Sequence, residues 1–86
     1  MPYIEQESRD RAEMFPRTPG ELNFAITRLL TGYIAYKGQN YTYMNDALGA
    51  LEGAKLEFYR RVVVPYENAK REHNGDVYPS NLTSGA

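Results

Sequence analysis

The segment of this chain best suited to chemistry is Lys55-Leu-Glu-Phe-Tyr-Arg-Arg, residues 55–61, where cations stand on both sides of a pair of aromatic residues. An arginine can donate two parallel hydrogen bonds to a phosphate or a carboxylate, and a tyrosine ring can stack on a flat ligand. These residue types predict a pocket for a small anion, formed where subunits of an oligomer meet. The residues expected to line it are Arg28, Lys55, Tyr59, Arg60 and Arg61.

The same charges have a second interpretation, as a solvated and ion-paired helix face. Glu52 precedes Lys55 by three residues, and Glu57 precedes the two arginines by three and four, which is the spacing of helical ion pairs. Arg60 and Arg61 lie about 100° apart around a helix. We therefore expect one of them to pair with Glu57 and the other to point toward a groove or a neighbour. The sequence leaves both interpretations open.

Other kinds of reactive site find no support. The chain has no cysteine, which excludes disulfides, thiolate metal sites and cysteine nucleophiles. Its single histidine, His73, stands at a predicted helix end, where a positive imidazole favours the helix terminus. Ser8, Ser80 and Ser84 belong to no nucleophile motif, and no acidic loop has calcium-site spacing. We predict no catalytic residue, no metal and no cofactor, and therefore no enzyme.

Length and charge limit the remaining classes. Eighty-six residues make one domain, near the size at which a single core is only just sufficient. A net charge of −1 argues against general binding of nucleic acids or anionic membranes. The N-terminus is unlike a secretory signal, and no apolar run approaches the roughly 20 residues that span a bilayer. We expect a cytoplasmic protein with a helical domain over residues 1–78 and a flexible tail over 79–86.

The strongest local signal is a helix start at Thr18-Pro19-Gly20-Glu21. It matches a capping box, in which the Thr18 hydroxyl accepts from the amide three residues on and Glu21 reaches back to the Thr18 amide. Helix A is predicted over residues 19–37, because Lys37-Gly38 is a good helix end. Before it, residues 8–15 could form a helical turn or two, capped by Ser8.

Helix B is predicted over residues 42–72, with Thr42 as its N-cap, and at ~1.5 Å per residue it would be roughly 45 Å long. Its apolar or small residues recur every three or four positions. They are Met44, Ala47, Leu48, Leu51, Ala54, Phe58, Val62, Tyr66 and Ala69. A short link after Gly38 favours an antiparallel arrangement. The predicted fold class is all-α, an antiparallel helical hairpin with a short N-terminal segment and a long second helix.

Two features inside helix B leave alternatives open. Pro65 either kinks the helix near Arg61 or ends it at Val64 and begins a new one, and we favour the kinked continuation. Gly49 and Gly53 would let another helix approach closely. A tight contact with helix A is the first expectation for these glycines, and a contact between subunits is the second.

The two predicted helices differ in length, which leaves apolar surface without a partner. Beyond residue 61, Val62, Val63, Tyr66 and Ala69 have no part of helix A opposite them. We expect the first 17 residues to cover some of this surface through Ile4, Met14 and Phe15, and a second subunit to cover the rest. Because each exposed valine or phenylalanine forfeits about 1.5–3 kcal/mol, a homo-oligomer is predicted.

Three motifs make the chain resemble a small helical protein family of phages and bacteria, over most of residues 1–78. They are GELNFAITRLL from Gly20, GALEGAKLEFYRRV from Gly49 and NGDVY from Asn74. The resemblance implies a bacterial or phage-infected cytosol and no particular activity. The architecture is also loosely similar to phage anti-defence sponges, small helical hairpins that oligomerise and sequester cyclic nucleotides between subunits.

Together these observations predict a non-enzymatic, oligomeric binding protein. Its most specific form sequesters a small anionic ligand, such as a cyclic nucleotide, at subunit interfaces and so weakens host defence signalling. The alternative is an adaptor or inhibitor that binds a host protein through its apolar helix surface.

Overall fold

The computed structural model describes residues 1–83, and no strand occurs among them. A 3₁₀ turn at Gln6–Ser8 leads into the first α-helix, and a π-helical turn at Tyr59–Val63 joins the third α-helix to the fourth. The α-helices are α1 (Arg9–Met14), α2 (Pro19–Lys37), α3 (Tyr41–Phe58), α4 (Val64–Asn74) and α5 (Ser80–Thr83). The predicted all-α class is confirmed, with helix A at its predicted bounds and a short link before the long second helix.

Contacts divide the chain into two compact units, Met1–Gly49 and the residues from Ala50 onward. The backbone stays helical without a break from Tyr41 to Asn74, through α3, the π turn and α4. α5 lies in the stretch expected to be a flexible tail, whose last three residues, 84–86, are outside the described part. The single domain over 1–78 and the mobility of the tail stay predictions.

The N-terminus of α2 forms one of the two capping hydrogen bonds that the sequence predicts. Thr18 is extended, and its Oγ1 accepts a hydrogen bond of 3.1 Å from the amide of Glu21. The second predicted bond, in which the Thr18 amide donates to the Glu21 carboxylate, is not formed. Glu21 Oε1 instead accepts from the amide of Arg17, at 2.9 Å. The carboxylate turns away from the cap because an arginine of the N-terminal segment binds both of its oxygens.

That arginine is Arg11 in α1, which forms a two-pronged ion pair with Glu21 in α2. The Nη1–Oε1 distance is 2.8 Å and the Nη2–Oε2 distance is 2.7 Å. Glu21 is only 9% exposed. The Arg11 hydrogen bonds, followed by the one from the Arg17 amide, lower the pKa of Glu21 from 4.5 to about 2. This ion pair fastens the N-terminal segment to α2.

The first unit is built on small and aromatic side chains. Its buried apolar residues are Ala12, Phe24, Ala25 and Ala47. The Phe24 ring lies under two guanidinium groups, with the Cζ atoms of Arg9 and Arg28 at 5.7 and 5.1 Å from its centroid. Among the described residues no large side chain is fully buried. Arginine side chains therefore cover the Phe24 ring, which apolar residues would cover in a protein with a larger core.

The N-terminal segment packs on the beginning of α2. A Cβ added at Gly20 would lie 3.1 Å from the Met1 carbonyl oxygen and 3.5 Å from Ile4 Cγ2, so the glycine allows a close backbone approach. Met14 and Phe15, which were expected to cover apolar surface, are 74% and 66% exposed. Their expected packing against Val62, Val63, Tyr66 and Ala69, which lie in the other unit, stays a prediction.

Two other sequence expectations for the long helix need correction. Its N-cap is Asn40 rather than Thr42, because Asn40 Oδ1 accepts from the Tyr43 amide at 2.9 Å. A Cβ added at Gly49 or Gly53 would meet no atom of residues 1–83 within 4 Å. Gly49, which lies in the same unit as helix A, therefore makes no tight contact with it. The expected contact of Gly53 with helix A and the alternative of a contact between subunits stay predictions.

The pKa of Glu21 makes the Arg11–Glu21 ion pair sensitive to acid. A carboxylate whose folded-state pKa is depressed stabilises the fold fully above its unfolded pKa of 4.5, and this contribution is lost as the pH falls toward 2. We expect Glu21→Gln to lower the melting temperature clearly at pH 7. The difference from wild type should shrink as the pH falls from 4.5 to 2.

The matched control for this prediction is Glu52→Gln, which removes a carboxylate from an exposed pair with Lys55. Its effect on melting should be small at every pH, because surface ion pairs contribute little. Thermal unfolding followed by circular dichroism at one protein concentration measures both variants. A wild-type advantage over Glu21→Gln that does not change between pH 7 and 2 would contradict the assignment.

Candidate functional site

Four of the five residues predicted to bind an anion lie in the second unit, at the end of α3 and in the π turn. Lys55 Nζ lies 3.4 Å from Glu52 Oε1. Arg60 Nη2 donates to Glu57 Oε2 at 2.6 Å, and Arg61 Nη1 lies 3.8 Å from Glu57 Oε1. All three ion pairs are exposed, with spacings of three or four residues along the helix.

The predicted helical ion pairs are therefore present. Only one arginine was expected to pair with Glu57, but both do so, Arg60 closely and Arg61 at longer range. Because exposed pairs of this kind exchange readily with water, their cations remain accessible to a stronger anion. Tyr59 is 55% exposed beside them. The prediction that these residues line a pocket between subunits is neither supported nor contradicted by their position in one chain.

The π turn is explained by Pro65. In a regular α-helix the proline would remove the hydrogen bond to the Arg61 carbonyl, and its ring would press against that carbonyl. The backbone widens instead, and the Val64 amide donates to the Tyr59 carbonyl five residues earlier. The helix continues past the proline, as favoured from the sequence, and Tyr59, Arg60 and Arg61 all lie in this widened turn. Such turns are common at functional sites.

The fifth predicted residue, Arg28, belongs to the first unit and has partners there. Its Nε lies 3.6 Å from Glu13 Oε2, and its guanidinium covers Phe24. These contacts link α1 to α2 and cover an aromatic ring. They give Arg28 a structural role, and its expected part in an anion pocket stays a prediction.

Two groups of charged residues were missed in the sequence. Arg11 lies ten positions before its partner Glu21, so no helical spacing connects them. Lys70 and Arg71 lie in α4 and line a groove in the second unit. They were overlooked because no aromatic residue stands next to them in the sequence, whereas residues 55–61 combine both types.

The described residues hold no cluster of metal ligands. Within residues 1–83, no three of histidine, cysteine, aspartate or glutamate come close enough together to hold an ion. His73 lies in the last turn of α4, at the helix end where the sequence placed it. No helix in this part of the chain is long and apolar enough to cross a membrane.

Comparison with known proteins identifies the family. The model of DUF6899, a domain of unknown function, matches residues 1–77. The chain belongs to this family. No curated protein and no solved structure is significantly similar to it. The phage setting and the likeness to anti-defence sponges stay predictions.

The role of Pro65 can be tested by restoring the missing amide. We expect Pro65→Ala to convert the π turn to regular α-helix and to raise the free energy of unfolding by about 1–3 kcal/mol, because the lost hydrogen bond and the ring clash are both removed. Thermal and denaturant unfolding at a fixed protein concentration measure this change.

Pro19→Ala is the matched control. Pro19 stands in the first turn of α2, where its missing amide costs no hydrogen bond, so its replacement should give no gain. A Pro65→Ala protein no more stable than wild type would show that the widened turn has another cause.

Proposed function

We propose that this protein is a non-enzymatic binding protein whose subunits associate through the long helix and hold a small anionic ligand between them. The observation that carries the proposal is the exposure of the helix in the second unit. From Ala50 to Asn74 no residue is buried. Over half of the surface of each of five large apolar or aromatic side chains is exposed, namely Leu56, Phe58, Tyr59, Val62 and Tyr66.

Energetics favour a partner for this surface. Burying one such side chain is worth about 1.5–3 kcal/mol. Full burial of five of them would be worth roughly 8–15 kcal/mol, which is comparable with the whole stability of an ordinary domain. Isolated helices gain most of their stability from packing of one face, so a helix with no buried residue over this length needs a covering surface. A second copy supplies one without any other protein.

The ligand class follows from the side chains beside this surface. Arg60 and Arg61 share one carboxylate, Glu57, so their combined charge is only half neutralised by it. Arginine forks suit phosphate or carboxylate, and Tyr59 adds a ring for stacking. Where copies of Lys55, Arg60 and Arg61 meet, we expect a pocket that binds a phosphate-bearing ligand such as a cyclic nucleotide. The setting we propose is the bacterial cytoplasm, with a phage-encoded role in sequestering a defence signal.

A second candidate function rests on the same exposed side chains. A helix face of this kind also fits a groove on another protein, as in an adaptor or an inhibitor. The two candidates predict different oligomeric states. A protein that sequesters a ligand between subunits forms a homo-oligomer, whereas an adaptor stays monomeric until it binds its partner.

Assembly is tested by the mass of the protein in solution. We expect sedimentation velocity to give a multiple of 9.8 kDa for the wild-type chain. Phe58→Asp should shift the protein toward the monomer, because a charge in an apolar interface is costly. Leu82→Asp, at an equally exposed apolar residue outside the long helix, should not. A folded wild-type monomer at every concentration would reject assembly and favour the adaptor.

Ligand binding is tested by calorimetry with cyclic mono- and dinucleotides. We expect at least one of them to bind, and Arg61→Ala to weaken its binding by about tenfold or more through the loss of a charged hydrogen-bond donor. Arg17→Ala removes the same charge in the first unit and should leave the affinity unchanged. No binding of any of these ligands, or equal binding by Arg61→Ala and wild type, would reject the anion site.

A further inference from the structure

A groove of about 480 Å³ lies in the second unit, lined by residues of α4 and of the segment after it. Lys70 and Arg71 line it from the helix, Asp76 and Tyr78 line it from the following segment, and Tyr59 of the π turn also takes part. Natural small-molecule sites measure ~300–1,000 Å³, so the space suits a small ligand.

Two backbone features bring the segment after α4 to face the helix across the groove. α4 ends at Asn74, and the φ of 91° at its C-cap Gly75 is favourable only for glycine and lets the chain change direction. Asp76 Oδ1 then accepts a 3.0 Å hydrogen bond from the amide of Tyr78, which stabilises the turn. Tyr78 is thereby held in the wall that faces α4. The motif Asn74-Gly-Asp-Val-Tyr thus has a structural purpose, which is to form this groove.

The cations of the groove differ from those around the π turn. Lys55, Arg60 and Arg61 are each paired with a glutamate. Lys70 and Arg71 form no salt bridge within residues 1–83, although Glu67 precedes them by three and four residues. Lys70 Nζ lies 5.7 Å from the centroid of the Tyr66 ring, so its neighbour is an aromatic ring rather than a carboxylate, and both cations can still bind an acidic group. A guanidinium without a carboxylate partner is a ready site for a carboxylate or a phosphate.

The other lining residues narrow the ligand further. Tyr59 and Tyr78 supply rings that can stack on a flat group. Glu67 and Asp76 also line the groove, so a ligand with several negative charges would be repelled, and one with hydroxyl or amino donors would be favoured.

We propose that this groove binds a small aromatic anion, a flat ring that carries one phosphate or carboxylate and has hydrogen-bond donors. Lys70 and Arg71 bind the acidic group, and Tyr59 and Tyr78 contact the ring. The site goes beyond the proposed function, because every lining residue belongs to one chain and no second copy is needed.

The test is a nitrogen-15 NMR titration of the full chain with adenosine 5′-monophosphate, adenosine and inorganic phosphate as probes. We expect the monophosphate to shift the amides of residues 74–78 at millimolar concentration. Adenosine and phosphate should each bind more weakly, because each offers only one of the two recognised groups. Absence of shifts at these amides with all three probes overturns the proposal.

Variants separate the groove from nonspecific attraction. We expect Lys70→Ala/Arg71→Ala to weaken binding of the monophosphate about tenfold or more, and Tyr78→Leu to weaken it through loss of the ring. All three side chains are exposed, so the fold should survive their loss. Arg17→Ala/Lys37→Ala, with the same charge change in the first unit, is the control. Equal weakening by the control and the groove variants overturns the site.

One further comparison keeps this site distinct from the assembly proposal. Phe58→Asp should bind the monophosphate as wild type does, even where it changes the mass in solution. Loss of binding in that variant would show that the site requires a second copy and would reject a groove within one chain.

Discussion

The structure depends on a helix that has almost nothing packed against it in its second half. From Ala50 to Asn74 the backbone hydrogen bonds are made within the helix, but no side chain there is buried. Helical hydrogen bonds alone stabilise such a segment only marginally in water. The exposed apolar residues are the reason for proposing a covering surface, and both proposed functions rest on them.

The first unit solves the shortage of core residues in a different way. Its buried apolar side chains are mostly alanines, and Phe24 is covered by arginines. The N-terminal segment is held on α2 by the Arg11–Glu21 ion pair, with its two short hydrogen bonds, together with buried Ala12 and the Arg28–Glu13 pair. A nearly buried carboxylate needs such a partner, because leaving it unpaired would be costly. Ion pairs thus supplement a small apolar core in this unit.

The two groups of cations in the second unit are chemically different. Around the π turn the cations are balanced in part by glutamates one helical turn away, and the site proposed there requires a neighbouring copy. In the groove, Lys70 and Arg71 have no such partners within residues 1–83 and face two tyrosines that line the same space. A site between subunits and a site within one chain can coexist, since no residue except Tyr59 belongs to both.

The sequence alone predicted the helical class, the bounds of α2 and the local ion pairs, and it favoured a helix that continues past Pro65, because each depends on residues within about one turn of helix. It did not determine the Arg11–Glu21 pair, the open surroundings of Gly49 and Gly53, or the groove lined by Lys70 and Tyr78. These depend on which segments meet in space, and the tertiary structure decided them. The physical reason is separation along the sequence. A helix cap or a helical ion pair depends on residues three or four positions apart, whereas a contact between segments depends on the packing of the whole unit.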